Sequence, residues 1–180
     1  SGPLAGIRIL DLATVVLGPF ATQILADLGA DVVKVESPEG DVLRNITPMR
    51  HAGMGHIFLH HNRNKRSIVL DLKTADGLAA MRRLIAGADV FVSNVRPNAL
   101  VRAGLDFTAL AQLNPRLIHC SILAFGRGGR YFDKPAYDPI IQSLSGVAGT
   151  FERAIGELVL APFDLGAADL ASAVGGQEVL

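Results

Sequence analysis

The sequence has little of several things that mark particular classes of protein. Its 180 residues include one cysteine, no tryptophan and only 2 tyrosines. A single cysteine cannot form a disulfide within the chain, which argues against a small secreted domain held together by disulfides. The N-terminus also lacks the basic and apolar regions of a signal peptide, so we expect a cytoplasmic protein.

The chain has no excess of charge of either sign, because 17 basic residues balance 17 acidic ones. No overall field therefore favours nucleic acid or an anionic membrane as a partner. The longest uncharged stretch, residues 12–26, is interrupted by polar residues. It is also shorter than the roughly twenty apolar residues of a membrane span. The sequence thus predicts neither nucleic-acid binding nor membrane insertion.

Apolar residues are what the chain has in quantity. Hydrophobic residues make up 49% of it, glycine adds 19 positions, and charged residues make up 19%. The charged fraction is below the usual value of about 25%, which excludes a disordered chain. We expect one core and a single domain over residues 1–180. So apolar a chain is also expected to leave a face that another copy or further chain covers.

Short β-branched runs alternate with helical patterns along the chain. This alternation predicts an α/β fold, with a Rossmann-like parallel sheet flanked by helices. A long irregular segment is predicted over residues 37–56. The predicted strands are residues 7–12, 31–36, 66–72, 89–94 and 117–122. The predicted helices are residues 19–28, a segment capped by Thr74, residues 97–103, 106–113 and 137–147, and a segment from 168 onward.

Glycine-rich nucleotide motifs are missing where such a fold would carry them. The turn after the first strand reads ATVVLGPF, with one glycine, and does not match the G-x-G-x-x-G pattern of dinucleotide-binding proteins. NAD is therefore not expected, and no Walker sequence occurs. Gly126, Gly128 and Gly129 form the densest glycine cluster, for which a mobile loop is favoured over a phosphate cradle.

Histidine and cysteine give no strong sign of a metal site or a thiol nucleophile. His51, His56, His60 and His61 have no H-E-x-x-H pattern and no nearby acidic or cysteine ligand, so a polar loop is favoured over metal binding. Cys120 lies between apolar strand residues, which favours a buried, inert thiol over a nucleophile.

Two aspartates begin predicted helices. Asp138 lies in PAYDPIIQSLSG and Asp169 lies in GAADLASAV. Each carboxylate is expected to cap its helix by accepting amide hydrogen bonds. A carboxylate in such a place can also be a nucleophile, and the residues alone leave both roles open.

Several long motifs carry a resemblance to a known family. They are PLAGIRILDLATVVLGPFATQILADLGADVVKVESPEGD, NRNKRSIVLDLKTADG, ADVFVSNVRPNALVRAGLDFTALAQLNPRLIHCSI and YDPIIQSLSG. In order and spacing the chain resembles the N-terminal part of the class III coenzyme A transferases, the carnitine-dehydratase and bile-acid-inducible group. Formyl-CoA transferase and α-methylacyl-CoA racemase belong to this group. The resemblance runs from Pro3 to about Gly149 and is looser beyond.

The resemblance implies the N-terminal portion of a large Rossmann-like domain, with the small domain beyond Leu180. It also implies an intertwined homodimer that exchanges CoA between an acyl-CoA and a carboxylic acid through an aspartyl intermediate. Coenzyme A is then a substrate, and no cofactor is bound permanently. By position the nucleophile falls on Asp169, and Asp164 is a weaker candidate.

The resemblance also implies which residues lie near CoA. An arginine often follows the KVE run in this family, but Ser37 stands there in this chain, which puts one nucleotide contact in doubt. The residues expected near CoA are Val15, Val16, Leu17, Leu70, Lys73, Asn94, Val95, Arg102 and Tyr137.

Two alternatives to a transferase remain at this point. A racemase of the same group would need an acid/base pair, and the group's racemases carry histidine immediately before the aspartate of the YD pair. This chain has Tyr137 there, a poor base at neutral pH, which weighs against racemisation. The other alternative is a truncated chain that keeps only a folding or dimerisation scaffold.

Overall fold

The fold is built on five short strands of mostly β-branched and apolar residues, and the computed structural model describes residues 2–147. All strand pairs are parallel, in the order β3-β2-β1-β4-β5. The predicted Rossmann-like parallel sheet is thereby confirmed. The strands are β1 (Arg8–Asp11), β2 (Asp31–Glu36), β3 (Arg66–Val69), β4 (Val90–Ser93) and β5 (Ile118–Ser121).

Helices make the crossovers between the strands. They are α1 (Leu17–Asp27), a 3-10 helix (Val42–Asn45), α2 (His56–His61), α3 (Ala75–Ala86), α4 (Pro97–Ala103) and α5 (Phe107–Leu113). Local sequence sets their ends: the Thr74 hydroxyl accepts a hydrogen bond from Gly77 N at 3.1 Å, and Asp106 caps α5. Gly104 ends α4 in the left-handed conformation that favours glycine.

The segment over residues 37–56 is less irregular than its sequence predicts. It contains the 3-10 helix and an isolated bridge between Met49 and Gly55. The predicted polar loop at His56, His60 and His61 is wrong, because these residues form α2. Their helix is short, and its pattern of polar and apolar residues gave no clear helical period.

The two faces of the sheet differ in chemistry. On one face, Leu10, Val33 and Phe91 pack against α3, α4 and α5 in the main apolar core. On the other face, Asp11 and Lys34 are paired in register on neighbouring strands, and both are buried. A smaller apolar cluster of Val16, Leu43 and Phe58 lies beside these charged residues. Towards the carboxyl ends of β1 and β2, alternation therefore places Leu10 and Val33 on one face and Asp11 and Lys34 on the other.

The chain divides into two compact units, with the break after Ser121. The first unit holds the whole sheet and the helices up to α5. The described part of the second unit, residues 122–147, consists of turns followed by α6 (Asp138–Leu144). The glycine-rich segment at Gly126, Gly128 and Gly129 forms turns and does not lead directly into a helix.

Candidate functional site

The carboxyl ends of β1 and β4 meet at the point where the strand order reverses, which is where open parallel sheets bind ligands. The loops after these strands are joined by Asn94. Its Oδ1 accepts a hydrogen bond from Thr14 N at 3.0 Å, and its Nδ2 donates to Thr14 O at 2.9 Å. One side chain thus fixes the Thr14 backbone from the neighbouring strand.

Ala13 is held in the same way by charged side chains. Asp11 Oδ1 accepts a hydrogen bond from Ala13 N at 3.0 Å, and Lys34 Nζ donates to Ala13 O at 2.8 Å. Because the amides of Ala13 and Thr14 are both occupied, they are not available to a phosphate in the way that the glycine-rich turn of a dinucleotide-binding protein is. The next residue, Val15, has a φ of 68°, which is rare and strained for a β-branched residue.

A cleft of about 230 Å³ opens beside this loop at the carboxyl ends of the strands. Apolar side chains from three strand ends form part of it, and the segment after β2 forms much of the remainder. Its lining residues are Leu12, Thr14, Val35, Glu36, Ser37, Pro38, Glu39, Gly40, Asp41, Leu70, Asp71, Leu72, Lys73 and Val95. A concave, mostly apolar site with a few polar groups is the usual form of a small-molecule site.

Charge in the cleft is mixed, with Lys73 as its one cation among the lining residues within the described chain. A hydrogen bond from Ser37 lowers the pKa of Glu39, and the positive charge of Lys73 lowers it further. Glu39 is therefore ionised at neutral pH and faces the positive charge of Lys73. A phosphate bound at Lys73 would be repelled by the negative charge of Glu39.

Glu36 anchors the segment after β2, which lines much of the cleft. Arg44 donates to both of its carboxylate oxygens, at 2.6 and 2.7 Å, and Ser67 donates at 2.6 Å. Burial alone would raise the pKa of Glu36, but these bonds and one from the Asp41 amide outweigh it and lower the pKa to about 2. Arg44 also stacks over Phe58 at 3.8 Å from the ring centre.

A buried ion pair joins this segment to the loop after β1. Lys34 Nζ lies 3.0 Å from Asp41 Oδ2, and both side chains are almost fully buried. Asp41 also accepts a hydrogen bond from Leu43 N and so caps the 3-10 helix. Lys34 therefore contacts the loops after β1 and β2 at once.

The structure brings together some of the residues predicted from the sequence. Leu70, Lys73 and Val95 line the cleft, and Asn94 holds the Thr14 loop. Val15, Val16 and Leu17 continue that loop into α1, where Val16 is the N-cap residue. Arg102 is exposed on α4 and is not among the cleft-lining residues.

The remaining predicted residues fall outside the first unit of the chain. Tyr137 is exposed in the second unit, where it is the N-cap residue of α6. Asp169 and Asp164 lie outside the described residues. The expectation that Asp138 caps its helix is wrong: it is the first helical residue, and its carboxylate accepts a hydrogen bond from Gln142 Nε2 one turn later.

The histidines and the cysteine form no further site. Within residues 2–147, no three metal-ligating side chains lie close enough together to hold a metal ion. His61 is buried and packs edge-on against Phe20. Cys120 is half-buried on β5, and burial raises the pKa of its thiol, which disfavours the nucleophilic thiolate.

Sequence reasoning missed the buried polar residues that shape the site: Asp11, Lys34, Glu36, Asp41 and Lys65. One signal was present in the KVE run of β2, where two charged residues occupy alternate positions of a strand predicted to be covered on both faces.

None of the helices within residues 2–147 has the length and apolar character that crossing a membrane requires.

The profile of the family described as CoA-transferase family III matches residues 4–171 of the chain. Among curated proteins, a succinate–glutarate CoA-transferase of Agrobacterium fabrum is 48% identical over 151 residues, which cover 80% of this chain and 38% of that protein. The beta subunit of a succinyl-CoA–L-malate CoA-transferase of Chloroflexus aurantiacus is 41% identical over 81% of this chain and 36% of its own length. This chain thus spans little more than a third of the length of these relatives.

Solved structures agree with the sequence relatives. A CAIB/BAIF family protein of Brucella suis, 43% identical, superposes with a TM-score of 0.77 over 82% of this chain and 40% of that one. A Mycobacterium tuberculosis protein, 33% identical, gives a TM-score of 0.85 over 96% of this chain and 49% of its own. The profile match extends over nearly the whole sequence, and with it the chain belongs to CoA-transferase family III.

Proposed function

We propose that the full-length protein is a CoA-transferase that moves CoA between an acyl-CoA and a carboxylic acid. The observation that carries this proposal is the cleft at the switch point, where Lys73 lies among apolar strand ends in a member of CoA-transferase family III. Lys73 is suited to a CoA phosphate, and Leu12, Leu70 and Val95 are suited to the apolar faces of the ligand.

The proposed chemistry uses a carboxylate nucleophile, which we assign to Asp169. Its oxygen attacks the thioester carbonyl, the C–S bond breaks, and a mixed anhydride forms with release of CoA thiolate. The thiolate attacks the aspartyl carbonyl, which releases the donor acid and leaves an aspartyl thioester. The acceptor carboxylate attacks that thioester, the C–S bond breaks, and a second mixed anhydride forms with release of CoA thiolate. The thiolate then attacks the acceptor carbonyl of this anhydride, which gives the acceptor acyl-CoA and frees the Asp169 carboxylate. No metal or redox cofactor enters these steps.

The names of the relatives suggest which substrates to test first. Proteins named for succinate and glutarate, and for succinyl-CoA and L-malate, are 48% and 41% identical to this chain. We therefore propose a dicarboxylic acid and the CoA thioester of a second dicarboxylic acid as the substrate pair, with an intertwined homodimer as the working form. A lone, half-buried thiol at Cys120 suits the reducing cytoplasm that we propose as the compartment.

Trapping of the aspartyl intermediate tests the proposal in the full-length protein. Succinyl-CoA should label wild-type protein at Asp169 when hydroxylamine or borohydride is added, and Asp169→Asn should remain unlabelled because an amide cannot form the anhydride. Asp164→Asn is the matched control and should label like the wild type. A label that falls on Asp164 would move the nucleophile, and an active, unlabelled Asp169→Asn would refute the aspartyl mechanism.

A further inference from the structure

The turn between α2 and β3, residues 62–65, binds α1 although it lies outside the cleft lining. Arg63 Nη2 lies 2.6 Å from Asp27 Oδ2, and Asn64 Nδ2 donates to Asp27 Oδ1 at 2.5 Å. Both contacts are at the exposed C-terminal end of α1. The fourth residue of the turn, Lys65, reaches the other end of the same helix.

Lys65 is a buried cation with three acceptors around its ammonium group. Its side chain is 1% exposed. Nζ donates to Asp11 Oδ2 at 2.9 Å, to Pro19 O at 2.7 Å and to Asn62 Oδ1 at 2.9 Å. An ammonium has three protons, so each has one acceptor. Burial lowers the pKa of Lys65, and the carboxylate of Asp11 opposes this shift.

Asp11 connects Lys65 to the wall of the cleft. The oxygen that Lys65 contacts also accepts a hydrogen bond from Thr22 Oγ1 at 2.6 Å, so it joins the turn to α1. The other carboxylate oxygen accepts from Ala13 N. Ala13 precedes Thr14, which lines the cleft. Two hydrogen bonds, joined through the Asp11 carboxylate, therefore link the Lys65 ammonium to the loop after β1.

Lys65 also binds the chain just beyond the end of that loop. Pro19 O belongs to the first turn of α1, and the loop of residues 12–16 runs between Asp11 and this turn. Lys65 thus binds a residue on each side of the loop. Val15, with its strained left-handed backbone, lies between these two attachment points. Strain of this kind persists only where the surroundings fix the backbone.

We infer that Lys65 is a positioning residue that fixes the loop of residues 12–16 and, through it, the affinity of the cleft for acyl-CoA. Only the part of the inference that concerns the affinity for acyl-CoA rests on the proposed function. Lys65 does not touch the ligand: it holds Asp11 and Pro19 so that the loop presents Thr14 to the cleft. Its action is on substrate binding, and the chemical step is left to the nucleophile.

The test uses Lys65→Met in the full-length protein, with Arg63→Met as the matched control. Arg63 is a cation of the same turn, and its partner Asp27 is the last residue of α1, at the opposite end of that helix from the loop after β1. In Lys65→Met, amide hydrogen exchange of residues 12–16 should speed up about tenfold, and the KM for succinyl-CoA should rise about tenfold with kcat within about threefold. Arg63→Met should leave the exchange of this loop and the KM near wild type.

A second variant keeps the inference testable if Lys65→Met does not fold, since that change leaves Asp11 buried without its cation. The double variant Asp11→Asn/Lys65→Met removes both charges, and the new amide can still accept from Ala13 N. It lacks the bond to Pro19 O and should therefore also show the faster exchange and the raised KM. Wild-type exchange and KM in the double variant would overturn the inference.

The remaining outcomes separate this inference from the proposed function. A merely structural role for Lys65 would lower the amount of active enzyme and hence the apparent kcat, with the KM and the exchange of residues 12–16 unchanged, and this pattern overturns the inference. Failure of the wild type to transfer CoA would refute the proposed function instead. In that case, faster amide hydrogen exchange of residues 12–16 in Lys65→Met than in the wild type would still support the role of Lys65 in positioning the loop.

Discussion

Asn94 and Thr14 are joined by two hydrogen bonds across the switch point of the sheet, one to each polar group of the Thr14 backbone, at 3.0 and 2.9 Å. The two residues are far apart in sequence, at the ends of β4 and β1. Their pairing links the loops after the two strands at the point where the strand order reverses. Asn94 therefore acts on the shape of the site through Thr14.

Removing this side chain should loosen the loop after β1. Asn94→Ala leaves Thr14 N and O without these partners, and we expect the free energy of unfolding to fall by about 1–3 kcal/mol. Asn94→Asp keeps an acceptor for Thr14 N but faces Thr14 O with a negative charge, so it should also destabilise. Urea denaturation of the three proteins measures both effects. Asn45→Ala, at an exposed asparagine, is the control, and equal stability of it and Asn94→Ala would contradict the prediction.

Glu36 should make the stability of the protein depend on acid. Its folded pKa is about 2, below the ordinary value of 4.5, because hydrogen bonds from Arg44 and Ser67 outweigh the effect of burial. A depressed pKa contributes stability that is present above pH 4.5 and is lost as the pH falls toward about 2. Glu36→Gln should thus lose on the order of 2 kcal/mol at neutral pH and progressively less in acid.

Chemical denaturation at a series of pH values between neutrality and the acid range measures this dependence. Glu39→Gln is the control, since Glu39 lies in the same segment but is exposed to solvent, where screening leaves little effect on stability. A stability difference between wild type and Glu36→Gln that stays constant as the pH falls would show that the Glu36 carboxylate is not the titrating group.

Lys73 should contribute to CoA binding through its charge. Lys73→Met removes the cation of the cleft, and we expect the dissociation constant for CoA to rise about three- to tenfold, with a weaker dependence on salt. Glu39→Gln removes the opposing charge and should tighten binding. Titration calorimetry on the full-length protein measures both. Arg83→Met, an exposed cation in the last turn of α3, is the control, and the prediction is wrong if Lys73→Met binds CoA as this control does.

Gly77 should be needed for the packing of α3 against the loop that carries Lys73. A Cβ at position 77 would lie 2.0 Å from Asp71 O, a backbone atom that cannot move aside cheaply. Gly77→Ala should therefore lower the free energy of unfolding by about 1–3 kcal/mol and weaken CoA binding. At Gly87, in contrast, an added Cβ would meet the flexible Arg8 side chain at 3.3 Å. Thermal unfolding should show Gly87→Ala close to wild type, and similar losses in both variants would refute the packing argument.

The sheet could be predicted from sequence because its signals are local. At least half of the residues in each strand are apolar, and Gly29 and Thr74 mark helix ends within a few residues of where the structure has them. Helix α2 was missed because its six residues include three histidines and give little periodicity. Short helices of this kind are held by their neighbours and not by their own sequence pattern.

The polar framework of the site was not predictable in the same way, because many of its bonds join residues that are far apart in the sequence. Lys34 and Glu36 alternate with the valines of β2, and that pattern does not show which groups pair with them. Their burial depends on contacts from Ala13, Asp41, Arg44 and Ser67. The left-handed backbone of Val15 has no signal either, since β-branched residues disfavour it. Such positions follow from tertiary contacts that local patterns do not contain.

The side-chain hold on Ala13 and Thr14 has a thermodynamic consequence for any ligand of the cleft. Their four backbone polar groups are bound within the folded chain by Asp11, Lys34 and Asn94. The conformational entropy of this loop is therefore lost when the chain folds, and a ligand that arrives later does not have to order it. Because the loop is preorganised, less of the binding free energy is offset by ordering it, and more remains to discriminate between ligands.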